Sequence, residues 1–155
     1  MHSDILTVKD LDRYLPAIKT NEDMRFKNKL SEGVFLSDAI DGLVELPDES
    51  IDLIITEPAN GPKNEKTKKN SPTYTNYLDW MEVWLTESSR VIKSTGSIYI
   101  FCPWESSGMY HSLLSKKFHV QSRITIERNN ENSDSNKSKW ENELFDIWFA
   151  TKTND

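Results

Sequence analysis

Apolar positions along this chain fall in short clusters whose spacing switches between helical and extended. Over residues 1–20, Leu11, Leu15 and Ile18 share one helical face, with Thr7 or Asp10 able to cap it and Pro16 interrupting its middle. Residues 20–32 are polar and read as a linker. Gly33 to Leu36 is a short strand, and Ala39 to Leu46 a short helix that turns Ile40, Leu43 and Leu46 inward. Pro47-Asp48-Glu49 makes a turn. Ile51 to Ile55 is an apolar, isoleucine-rich run of strand length, stopped by Glu57 and Pro58 because proline cannot donate to a ladder. Tyr77 to Lys93 is the clearest helix: Leu78, Met81, Trp84, Leu85, Ser88 and Ile92 track a period of 3.6, Asn76 can cap it and Lys93 suits its end. Ser94-Thr95-Gly96 breaks that helix, and Ser97 to Cys102 is a second buried strand stopped by Pro103. A helix over Ser106 to Lys117, a less buried strand over Phe118 to Glu127, a polar loop and a last strand over Leu144 to Thr151 complete the pattern.

The order βαβαβαββ predicts an α/β domain. It divides the chain into an amino-terminal helix and linker, 1–32, and a domain over 33–155. With 155 residues, 36% hydrophobic and 28% charged, the chain is long enough for a real core. A net charge of -6 gives no general attraction to nucleic acid or anionic membrane. Lysine is nevertheless concentrated between Pro62 and Lys69, where Lys63, Lys66, Lys68 and Lys69 face one acid, Glu65. That loop, Gly61 to Thr75, has no hydrophobic period and reads as the mouth of a site. The single cysteine, Cys102, excludes an internal disulfide, suits a reducing compartment and reads as a buried, inert thiol. No stretch is long and apolar enough to span a membrane, and the start does not read as a signal peptide, so the expected location is cytoplasmic. His2, His111 and His119 lack metal-ligand spacing, so no metal site is expected. Five tryptophans are many for this length and are expected mainly in the core.

The chemistry gathers after the Ile51 strand. A carboxylate, a proline and an amide, Glu57-Pro58-Ala59-Asn60, sit at the carboxyl end of a central strand, the edge where open α/β sheets bind ligands. Joined to Leu36-Ser37-Asp38-Ala39, Leu46 to Pro58, Trp84 to Phe101 and Lys139 to Trp148, this stretch resembles the permuted, β-class DNA amino-methyltransferases. The resemblance covers residues 34–152. It implies a Rossmann-like methyltransferase fold, here truncated to four or five strands with flanking helices. It also implies S-adenosylmethionine as methyl donor, adenine N6 or cytosine N4 as acceptor, and DNA, with RNA the alternative, as partner. In that family an Asp/Asn-Pro-Pro-aromatic tetrapeptide receives a base extruded from the stack. Its first side chain and a backbone carbonyl accept from the exocyclic amine, and its ring stacks on the base.

By that resemblance the catalytic positions are Glu57, Pro58 and Asn60, Asp38 lies at the donor's adenine, and Lys63, Lys66, Lys68, Lys69 and Tyr74 face nucleic acid. The departures matter. Glu57 reaches one methylene further than the family's acid or amide, and a displacement of about 1 Å can cost about a hundredfold in rate. Ala59 replaces a rigid proline and Asn60 replaces the stacking ring, for which Tyr74 or Trp104 could substitute. None of the five glycines, Gly33, Gly42, Gly61, Gly96 and Gly108, forms the family's Phe-x-Gly-x-Gly turn, which in the permuted order would follow Asp155. Without that bed of backbone amides, Asp38 reads as a helix cap. The family's missing strands would lie between the Val34 and Ile51 strands, so these two either pair directly or leave a gap for a partner. Three functions stay open: a methyltransferase-type chain inactive alone, as a degenerate nucleic-acid-binding subunit or one piece of a split enzyme with a second subunit; an active minimal methyltransferase; or a non-catalytic interaction module, alone or as a homodimer.

Overall fold

A computed structural model describes residues 7–20, 23, 32–58, 74–127 and 144–154, with the side chains of 74–76 excepted. The chain forms two units, Met1–Pro47 and Asp48–Asp155.

In the first unit, helix α1 (Val8–Tyr14) opens with a capping box: the Thr7 hydroxyl accepts from the Asp10 amide, and the Asp10 carboxylate accepts from the Thr7 amide. Pro16 ends the predicted helix early. A 3-10 turn, Leu15–Ala17, leads into strand β1 (Ile18–Lys19), so Ile18 is extended, not helical. β1 pairs in parallel with β2 (Val34–Phe35) in a two-stranded sheet of its own. The Val34 strand therefore does not pair with the Ile51 strand. Helix α2 (Ala39–Val44) is capped by Asp38, whose Oδ1 accepts from the Ile40 and Asp41 amides at 2.9 and 3.4 Å. No described residue of this unit is buried. Asp38→Ala is expected to cost α2 about 1 kcal/mol, read as faster hydrogen exchange at the Ile40 and Asp41 amides.

The second unit is a four-stranded sheet in the order β3-β4-β6-β5. Its strands are β3 (Ile51–Thr56), β4 (Ile92–Pro103), β5 (His119–Glu127) and β6 (Leu144–Thr151). β3 and β4 are parallel; β6 is antiparallel to both β4 and β5. Helix α3 (Tyr74–Val91) crosses from β3 to β4. A 3-10 turn, Trp104–Ser106, and helix α4 (Ser107–Leu114) connect β4 to β5. The buried face of α3 is Tyr77, Met81, Trp84, Leu85, Ser88 and Val91, the predicted stripe with Tyr77 in place of Leu78 and Val91 in place of Ile92, which already belongs to β4.

The ends of α3 differ from the pattern. It starts at Tyr74, which puts Asn76 inside the first turn and not at the cap. It stops at Val91 because Ile92 already pairs with Ile51, and Lys93 leaves the helix to bind the Asp52 carboxylate at 2.7 Å. Ser94-Thr95-Gly96 is not a break. The register jumps from Ile51↔Ile92 to Leu53↔Ser97, so these residues are an irregularity within a twelve-residue β4. The turn before β3 is pinned to the end of α3: Arg90 binds Asp48 at 2.6 Å, and the Glu49 amide, with Glu49 in a left-handed conformation at φ 49°, donates to the Arg90 carbonyl. Trp84 lies in this core at 5% exposure, whereas Trp104 is 44% exposed.

Candidate functional site at the carboxyl edge of the sheet

β3 and β4 run in parallel; β3 ends at Thr56, opposite Ile100, and β4 continues to Pro103. Beyond β3 the Glu57 side chain is exposed and the Pro58 ring is buried. This separates the pair chemically: Pro58 anchors the strand end, and Glu57 carries its charge into solvent. Ala59, Asn60 and the lysines Lys63, Lys66, Lys68 and Lys69 lie outside the described residues. Tyr74 is the first residue of α3, which begins beyond that loop, and its side chain also lies outside the description. Asp38 belongs to the first unit, where its carboxylate caps α2.

Beneath Glu57 lies a polar cluster that the sequence pattern did not identify. The hydroxyls of Tyr77 on α3 and Tyr110 on α4 meet at 2.6 Å, with both rings buried. Burial pushes both phenols above their ordinary range; the Tyr77 hydroxyl and the Glu57 carboxylate add to the effect at Tyr110, while the hydrogen bond with Tyr110 partly opposes it at Tyr77. Cys102, at the end of β4, is fully buried. Its thiol is pushed up to about 12, chiefly by burial and then by the Asp146 carboxylate, against a smaller opposing hydrogen bond with Ser107. Cys102 is therefore an inert thiol. Iodoacetamide at pH 8 is expected to label it only as fast as the chain unfolds; rapid labelling of the native protein would contradict its burial.

Asp146 is the cluster's buried carboxylate, paired across the ladder with Cys102. Its Oδ1 accepts from the Thr125 hydroxyl at 2.6 Å, and Arg123 lies 3.9 Å from its Oδ2. The Trp148 indole donates to the Ser107 carbonyl and hydroxyl at 3.1 Å each, while His111 packs on its ring. An open cavity of about 510 Å³ adjoins this network, with Trp104, His111, Arg123, Asp146 and Trp148 in its walls. It offers aromatic surface, one carboxylate and one guanidinium, a set able to hold a planar ring with a polar rim. The signal for Tyr77 and Tyr110 was present as inward helical positions, Tyr77 with Met81 and Tyr110 with Leu113 and Leu114. Their meeting depends on how two helices pack, which no local period encodes.

These features place an acid–proline step and an aromatic cavity at one edge of a four-stranded α/β sheet. The model of the DNA methylase family, the N6- and N4-type enzymes, matches residues 51–155, and the chain belongs to that family. The type II methyltransferase M.HpaI of Haemophilus parainfluenzae is 40% identical over 73 residues, 46% of this chain and 23% of that protein. The cytosine-N4-specific PvuII DNA methyltransferase shares the fold with a TM-score of 0.59 at 16% identity, over 88% of this chain and 51% of that one. TTHA0409 of Thermus thermophilus, a putative DNA modification methylase solved with S-adenosyl-L-methionine, gives 0.55 at 16% identity, over 77% and 53%. The chain thus spans about a quarter of the curated relative and about half of each solved neighbour.

Among the described residues no bed of backbone amides for S-adenosylmethionine is formed. No described glycine has positive φ, the 155 residues hold no paired-glycine turn to cradle the methionine group, and Asp38 already serves α2. Among the described residues, no histidine, cysteine, aspartate and glutamate grouping could hold a metal, and no helix is long and apolar enough to cross a membrane.

Proposed function

We propose that this chain is the acceptor-side half of a DNA amino-methyltransferase: it contacts nucleic acid and the target base, and does not complete methyl transfer alone. One observation carries this reading. The Glu57-Pro58 step is kept at the carboxyl end of β3, while the 155 residues hold no paired-glycine turn for the methyl donor. Glu57, exposed at that edge, accepts from the exocyclic amine of an extruded base, and Pro58 fixes the strand end beneath it. Trp104 takes over the stacking surface that Asn60 cannot give, a contact worth about 1–3 kcal/mol. Lys63, Lys66, Lys68 and Lys69, with Tyr74, contact phosphates and bases. The domain that does this begins near residue 33, and its work is intracellular, on DNA.

Titration of the pure chain with S-adenosylmethionine tests this directly. No heat of binding is expected; micromolar affinity would overturn it. Tritium transfer to DNA by the lone chain, abolished in Glu57→Ala, would instead identify an active minimal methyltransferase. Failure to bind duplex or single-stranded oligonucleotides at low salt would identify an interaction module without a nucleic-acid role.

A further inference from the structure

The cavity beside Asp146 is set apart from the Glu57 step. Its floor is one face of β6 and β5, where Asp146 pairs with Thr125 and Trp148 with Arg123 across the ladder. Trp148 donates to Ser107 of α4, so this face looks toward the helix. Trp104, Gly108 and His111, from the turn after β4 and from α4, form the opposite wall. None of the described residues of β3 or α3 lines it. β6 lies two strands from β3, so the cavity stands about 10 Å to the side at ordinary strand spacing. Trp104 follows β4, the strand between them, and borders both places. At Gly108 the wall is open: an added Cβ would meet nothing within 4 Å.

Asp146 sets the chemistry. It is 4% exposed, and burying a carboxylate costs free energy unless hydrogen bonds replace its water. The Thr125 hydroxyl meets Oδ1 at 2.6 Å and fixes the carboxylate in place. Oδ2 has Arg123 at 3.9 Å, beyond hydrogen-bond length, and among the described residues it accepts no hydrogen bond. The Arg123 guanidinium is held in turn over the Trp148 ring, 5.8 Å from its centroid, and His111 packs on the same ring at 4.7 Å. Each carboxylate oxygen has two lone pairs, so Oδ1 also keeps one to offer. The cavity therefore presents acceptor, acceptor and donor side by side, next to an aromatic wall.

That row is the complement of one base edge. Guanine offers its N2 amine and N1–H as donors and O6 as acceptor. Adenine and cytosine set a ring acceptor beside their amine, and thymine sets its one N–H between two carbonyls. Each of these puts a lone pair against the carboxylate. We propose that the cavity is a guanine site: Asp146 accepts from N1–H and the N2 amine, Arg123 donates to O6, and Trp104 and His111 flank the ring. Its volume of about 510 Å³ suits a ligand of that size. The guanine belongs to a free nucleotide or to an unpaired position of a nucleic-acid strand, since both show the same edge. This site goes beyond the acceptor-side reading and does not depend on it.

The test is a nuclear magnetic resonance titration of the 155-residue chain, read at the indole N–H groups of Trp104 and Trp148. The probes are the deoxynucleoside monophosphates of guanine, hypoxanthine, adenine, cytosine and thymine. Saturable shifts are expected with guanine, bound roughly tenfold or more tightly than adenine, cytosine or thymine. Hypoxanthine keeps N1–H and O6 but lacks the amine, and should fall between. Gly108→Leu fills the open space with a better helix former, so it is expected to fold, which circular dichroism checks, and to weaken guanine binding roughly tenfold or more. Asp146→Asn exchanges an acceptor for a donor and should erase the preference among bases. Equal shifts with every nucleotide, shifts with none, or undiminished guanine binding in folded Gly108→Leu would overturn the site. A short oligothymidylate carrying one guanine then separates the two sources. Competition with the guanine nucleotide for the same signals assigns the site to a strand; absence of competition assigns it to the free nucleotide.

Discussion

Tyr110→Ala is expected to remove about 3–5 kcal/mol of stability, the cost of deleting a large buried aromatic. A domain is stable by only about 5–15 kcal/mol, so this one change takes much of the total. Tyr110 is 1% exposed, and its hydroxyl is the partner of Tyr77. Tyr110→Phe separates the two contributions, since it keeps the ring and leaves the Tyr77 hydroxyl unpaired, at about 1–3 kcal/mol. Urea denaturation gives both values. The same pair makes the fold sensitive to alkali. Burial raises both phenol pKa values, so the folded state holds these protons more tightly than the unfolded state does. Their contribution is complete below the unfolded pKa of about 10 and is lost as pH rises above it. The melting temperature is expected to drop above that point, and to drop less in the Tyr77→Phe/Tyr110→Phe double variant. An equal drop in both would show that other groups titrate.

Gly96→Val is the second large expectation, at about 3 kcal/mol. A Cβ at Gly96 would stand 2.7 Å from the Ile92 methyl, 3.0 Å from the Asp52 carbonyl and 3.1 Å from the Ile51 carbonyl. Ile92 is fully buried, and the two carbonyls are backbone at the start of β3, so nothing near can yield cheaply. The first change should be loss of hydrogen-exchange protection at Ile51 to Leu53, where β3 meets the irregular part of β4. A variant as stable as the parent would mean that the β4 irregularity can shift.

Legibility followed the range of the forces involved. The Ile51 strand was readable because a β-branched run meets Pro58, and α3 because six positions keep one period. The helix ends were not, because pairing of Ile92 with Ile51 overrides the helical preference of Ile92-Lys93. In the first unit, Pro16 marked the real boundary, though the apolar spacing of Leu11, Leu15 and Ile18 argued past it. Glu57 stood out because an acid before a proline at a strand end is a local signal. The Tyr77–Tyr110 and Thr125–Asp146 contacts join residues 33 and 21 apart, through helix packing and strand register. The Asp38 cap was legible for the opposite reason, since its partners are two and three residues away.

The strand order has a consequence for biosynthesis. β6 comes last of the four in sequence and sits inside the sheet, with β4 on one flank and β5 on the other. While the ribosome is still making the residues before Leu144, β5 has no ladder to join and one flank of β4 stays raw. At about 5–20 residues per second, the nascent chain carries that unfinished seam for some seconds. Chaperone demand should therefore peak just before Leu144–Thr151 emerges, and a ribosome stalled there should hold its chain in a protease-sensitive state.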